Sequence, residues 1–193
     1  MAIDLPSELM KRKLQLQVSP HSVSIHFQPN TIALPASMPP LYLRVTRGSR
    51  STESPQATLE EVVAGSMMYT ATWPSCTLTL NVALNRHSVS GEFEAKEIKL
   101  QLKIYSEGKS SHKNLASCTY NINCLNLSAL DFVAASSETR QISLSMGKSA
   151  LAAIHSIVLE ATFHYEYLAD DFDISVEQSR SRESSPHPRY TDF

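Results

Sequence analysis

Glycine and cysteine are scarce in this chain: five glycines, three cysteines and a single tryptophan among 193 residues. No Walker loop or dinucleotide fingerprint occurs, and neither H-E-x-x-H nor G-x-S-x-G is present, so enzyme chemistry has no motif to stand on. The expectation is a protein that is not an enzyme, with no small-molecule substrate and no cofactor. An odd number of cysteines suits reduced thiols better than a disulfide scaffold. No apolar run approaches the ~20 residues that a membrane-spanning helix needs. The opening "MAIDLPSELMKRK" places Asp4 and Glu8 where a signal peptide requires uninterrupted apolar residues. A cytoplasmic protein is expected, with a peripheral place at a membrane or the cytoskeleton. The sequon Asn126-Leu127-Ser128 then has no export signal to give it meaning. A basic excess is also lacking: the formal net charge is −2 and the pI about 6.4, which argues against nucleic acid as a partner.

What is present is alternation. Apolar residues recur at every second position, the signature of strands with one buried face. Val23, Ile25 and Phe27 form one such set, preceded by Leu14, Leu16 and Val18. Leu41, Leu43 and Val45 repeat it, as do Leu78, Leu80, Val82 and Leu84. Ile98, Leu100, Leu102 and Ile104 alternate with Lys99, Gln101, Lys103 and Tyr105. Tyr120, Ile122 and Cys124 share a parity, and so do Ile142, Leu144 and Met146; the longest set runs from Ile157 to Tyr167. Roughly seven or eight strands of this kind predict an all-β protein, an antiparallel two-sheet β-sandwich. Helical signals are weak. "TLEEVVAGSMM" fits a helical turn or a strand, and "NLSALDFVAASSE" fits a short helix capped by Asn126 or Ser128.

The Pro-rich run "PNTIALPASMPP", residues 29–40, reads as a connector because proline cannot donate to a ladder. After Leu168 the composition turns polar and Ser/Arg-rich, which predicts a disordered tail. The expected organisation is an N-terminal extension over 1–11, a β-sandwich over 12–168 and a tail over 169–193.

Four segments, in order, resemble the N-terminal C2 domain family, found at the start of several eukaryotic adaptor proteins. "LYLRVTRGSR" is similar to that family's "LYV-K/R-W-K/R-G-S" run, and "MMYTATWPSCTLTLNVAL" to its strand leading to an aromatic just before a "F…CTLYR"-like stretch. "FEAKEIKLQLKIY" matches "F-x-x-K-x-L/I-x-L-x-V" with Phe93 and Lys96 in register, and "LASCTYNINCLNLSAL" echoes "LG-x-A-x-I-N-L". The family's tryptophan is Val45 here and its glycine is Ala116. The resemblance spans roughly residues 22–167 and implies a C2-like sandwich with an adaptor role between a membrane surface or protein partner and the cytoskeleton.

Calcium, the usual ligand of C2 domains, takes 6–8 oxygen ligands. The 46–58 segment offers only Glu53 and the 106–114 segment only Glu107, while Asp170, Asp171 and Asp173 read as a solvated cap. No metal is expected. His112, Cys118 and Cys124 lack the close chelate spacing of zinc sites, so the thiols read as core residues. His26 and His164 fall on the polar parity. The candidate surface is basic: Arg44, Lys99 and Lys103 point outward, and Arg47, Arg50, Lys109 and Lys113 come from adjoining loops. Lys96 shares the inward parity at a strand start, which leaves its orientation open. Such a face suits an anionic membrane lipid or a protein partner, bound without calcium. The alternative is a small structural subunit embedded in a cytoskeletal assembly, its Ser/Arg-rich tail ordered by a neighbour.

Overall fold

The computed structural model describes residues 9–29, 39–87, 92–104, 113–125, 127, 135–147 and 153–168. In chain order the strands are β1 (Leu9–Phe27), β2 (Leu41–Arg47), β3 (Arg50–Glu53), β4 (Glu60–Glu61), β5 (Met68–Thr72) and β6 (Leu78–His87). They continue with β7 (Glu97–Ile104), β8 (Lys113–Asn121), β9 (Ala135–Ser143), β10 (Ser145–Met146) and β11 (Ile154–Tyr167). One 3-10 turn, Ile122–Cys124, follows β8. The expected two-sheet antiparallel sandwich forms. One sheet runs β4-β5-β1-β11-β9, with β6 also paired to β1; the other runs β10-β8-β7-β2-β3. Lys109, His112, Asn126, Ser128 and the 169–193 segment with its aspartates lie outside the described residues.

β1 organises the first sheet. Along one side it pairs with β11 from Leu14↔Tyr167 to Phe27↔Ile154. Along the other, Leu9–Val18 pairs with β6 and Ser22–His26 with β5. The sequence pattern suggests two strands here, because inward residues are even-numbered up to Val18 and odd-numbered from Val23. A single strand accommodates both. The register slips between Pro20 and Ser22, so His21 is the extra residue that reverses the parity. Proline at that point gives up a ladder bond it could not have donated. His21 is tied to the next strand, its Nε2 lying 2.6 Å from Thr162 Oγ1.

The core lies between the facing apolar sides. Leu14, Leu16, Ile25, Leu100, Leu102 and Phe163 are fully buried, and the Phe163 ring stacks on Tyr120 at a centroid distance of 5.0 Å. Three expectations are corrected. The Tyr120–Ile122–Cys124 alternation does not persist: β8 ends at Asn121, and the 3-10 turn buries Ile122 while leaving Cys124 exposed. Cys124 is therefore not a core thiol. "TLEEVVAGSMM" is not helical but a hairpin, Glu60 pairing with Thr70 and Glu61 with Tyr69. Gly65 (φ 77°) and Met67 (φ 55°) reverse the chain there, and Val62 and Val63 are exposed at the turn. Of the candidate helix near 126–138, Ala135 to Glu138 is strand.

Edge strand β9 carries charge on its core-facing parity. Glu138 lies opposite Phe163 and Arg140 opposite Ala161, the two pair with each other, and Tyr165 Oη donates to Glu138 at 2.9 Å. Inward charge of this kind discourages an edge from pairing with another chain.

Candidate anion-binding surfaces

The alternation of β2 and β7 places Tyr42, Arg44 and Thr46 beside Lys103, Gln101 and Lys99 respectively on the outer face of the second sheet. β3 adds Glu53 opposite Arg44 and Ser51 opposite Thr46. Arg44 is committed within this face: its Nε lies 3.3 Å from Glu53 Oε1, and its Nη2 donates to Ser51 Oγ at 3.0 Å. Glu53, the one carboxylate of the 46–58 segment, is thereby engaged by a protein cation.

Lys99 and Lys103 differ from Arg44. Among the described residues neither makes an ion pair. Partial burial holds the Lys103 ammonium below its ordinary value, and the like charges of Arg44 and Lys99 push the same way against the pull of Glu53. Four residues of extended chain set the two lysines roughly 13 Å apart. The neighbouring Tyr42 phenol is pushed up, first by burial and then by Glu53.

The remaining candidates fall elsewhere. Lys113 pairs with Ile104, at the end of β7 far from Arg47. Arg47 and Arg50 face each other across the turn Gly48–Ser49, where Gly48 takes φ 55°. A positive φ is cheapest for a residue without Cβ. This turn closes over β6, and Arg50 Nη1 reaches the Asn81 carbonyl at 3.5 Å.

A concavity of about 810 Å³ opens at that junction, and Lys13, Arg47, Arg50, Lys96 and Glu97 line it. Its walls include Val82, Ala83 and Ala95. Lys13 enters through the β1–β6 register, which sets it opposite Ala83. Lys96 is half-buried, its Nζ 3.6 Å from Glu94 Oε2. The carboxylate of Glu94 also accepts from the Asn85 amide. Sequence reading missed Lys13 as a site residue, since only the pairing of β1 with β6 brings it near Arg47; Lys96 carried a signal in its position just before β7.

Among the described residues no group of three His, Cys, Asp or Glu side chains could hold a metal ion. No helix among them is long and apolar enough to cross a membrane. Burial pushes the Cys76 and Cys118 thiols up.

No protein-family model matches this chain, and no curated protein matches it. Among solved structures it is similar to a C2 domain-containing protein at 14% identity and a TM-score of 0.39, covering 77% of this chain and 85% of that one. At that TM-score the likeness adds nothing to what the strand pairing establishes.

Proposed function

We propose that the protein is a non-catalytic interaction module of C2 type that docks, without calcium, onto an anionic phospholipid surface. The observation that carries this reading is the outer face of β7. Lys99 and Lys103 stand there with no carboxylate paired to either among the described residues, and Lys103 is pushed down by like charge as well as by burial. An anionic surface would relieve that repulsion, and each basic residue at such a surface contributes about 1 kcal/mol. Two lysines with partial help from Arg44 would therefore support weak, salt-sensitive attachment. The anionic cytoplasmic leaflet is the natural target. A link from that surface to the cytoskeleton is what the "LYLRVTRGSR" resemblance implies.

Co-sedimentation of the full chain with phosphatidylserine vesicles tests the reading, with calcium or chelator and across a salt series. Binding should be the same with and without calcium and should fall steeply as salt screens charges beyond ~10 Å at 0.1 M. Lys99→Glu with Lys103→Glu should abolish it while the thermal transition stays in place. Vesicle binding that survives this double reversal with unchanged salt dependence would remove the face from consideration.

A further inference from the structure

We propose that the concavity between the β2–β3 turn and β6 is a separate binding site, for a phosphate ester carrying two or more negative charges. The turn itself is the first indication. Arg47 and Arg50 are direct cross-strand partners, and like charges placed opposite one another in a ladder are unfavourable. A two-residue turn with glycine at its left-handed position makes no demand for arginine on either side. The fold then adds Lys13 from β1 and Lys96, itself paired with Glu94, from the segment before β7, so among the described residues four cations and one carboxylate, Glu97, line one cavity. They gather there in a chain whose formal net charge is −2.

The geometry selects a compact polyanion. Arg50 is aimed across the opening by its contact with the Asn81 carbonyl. Paired guanidinium groups offer the fork of donors that matches phosphate oxygens, and Lys13 and Lys96 add positive charge to the wall, Lys96 while paired with Glu94. About 810 Å³ lies within the range of sites for small organic ligands, with room for more than a bare phosphate. Val82, Ala83 and Ala95 supply a small-sided apolar wall for the organic part of an ester. The same chemistry is offered by a soluble phosphate ester and by the phosphomonoester headgroup of a lipid. The site does not rest on the membrane reading, because neither Lys99 nor Lys103 lines it.

Isothermal titration of the full chain with inorganic pyrophosphate at low salt is the test. Saturable binding at one site per chain is expected, weakened about tenfold or more when Arg47→Ser and Arg50→Ser are combined. Lys96→Gln should weaken it by a smaller factor, and this single change guards against a folding defect in the double variant. Lys99→Glu with Lys103→Glu should leave pyrophosphate binding unchanged, which separates this site from the outer face. Displacement of pyrophosphate by phosphatidic acid vesicles would support the site and assign the ligand to a lipid headgroup. Saturable binding without that displacement would support it as a site for a soluble ester. Absence of saturable binding to the folded wild-type chain, or binding that ignores both Arg47/Arg50 and Lys96 changes, would overturn the proposal.

Discussion

Ser54 and Leu43 exchange two hydrogen bonds of different kinds. The Ser54 amide donates to the Leu43 carbonyl at 2.8 Å, and the Leu43 amide donates to the Ser54 hydroxyl oxygen, also at 2.8 Å. A side chain thus replaces a backbone carbonyl just past the end of β3, and the ladder resumes at Leu41↔Ala57. Ser54 is buried, and its hydroxyl donates a hydrogen bond to the Pro55 carbonyl. Ser54→Ala should leave the Leu43 amide without an acceptor and cost about 1–3 kcal/mol. Urea denaturation should show a lower midpoint with an unchanged slope. An unchanged midpoint would mean that the Leu43 amide is satisfied by another group.

Gly147 and Gly48 should respond differently to added side chains. A Cβ on Gly147 would lie 2.8 Å from the Asn114 carbonyl oxygen, beside the bond its amide makes to Leu115. At Gly48 nothing lies within 4 Å, and the obstacle is only the positive φ of 55°. Gly48→Ala should therefore cost about 1–2 kcal/mol, and Gly48→Asn much less, since asparagine tolerates the left-handed region. Gly147→Ala and Gly147→Asn should both destabilise, because the clash is with backbone. Thermal denaturation of the four variants checks this; rescue by asparagine at Gly147 would contradict it.

Stability should fall on the alkaline side. The Tyr42, Tyr120 and Tyr165 phenols are all held above the ordinary 10.0, chiefly by burial, and the Cys76 and Cys118 thiols above 9.0 for the same reason. Each is thus easier to ionise in the unfolded chain than in the folded one. Between the two values the unfolded chain binds fewer protons, so rising pH favours unfolding. Their contribution is fully present below the ordinary thiol and phenol values and is lost as pH passes the raised ones. The urea midpoint should hold at about pH 8 and drop steadily towards about pH 11. Tyr120→Phe keeps a ring to stack on Phe163 while removing one of these protons, so it should make the drop shallower. A midpoint flat across this range would show that these groups keep their ordinary acidity.

Much of the sandwich is legible in the sequence because burial on one face imposes a period of two. Leu41–Val45, Leu78–Leu84 and Ile157–Tyr165 all fall inward where alternation places them. Alternation fails where the chain departs from a plain strand. His21 hides the continuity of β1, and the 3-10 turn at Ile122 ends a pattern that otherwise runs to Cys124. Short β3, β4 and β10 are too brief to show a period. Of the basic residues, parity puts Arg44, Lys99 and Lys103 on one face, but nothing in it separates Arg47 and Arg50 from them or joins these to Lys13. That grouping depends on which strands become neighbours, and a linear pattern carries no record of pairings made across the whole chain.

The pairing of β1 with β11 joins nearly the two ends of the described chain, from Leu14↔Tyr167 inward to Phe27↔Ile154. These two strands sit side by side in the middle of the first sheet, so its central pairing needs both. During synthesis β1 emerges first and β11 last among the described strands. At roughly 5–20 residues per second, the interval between them amounts to several seconds or more. Through that interval β5 and β6 can pair along one edge of β1, while the edge that β11 takes stays open. A ribosome paused before Ile154 would hold a half-sheet in which that edge of β1 is still a template for another strand.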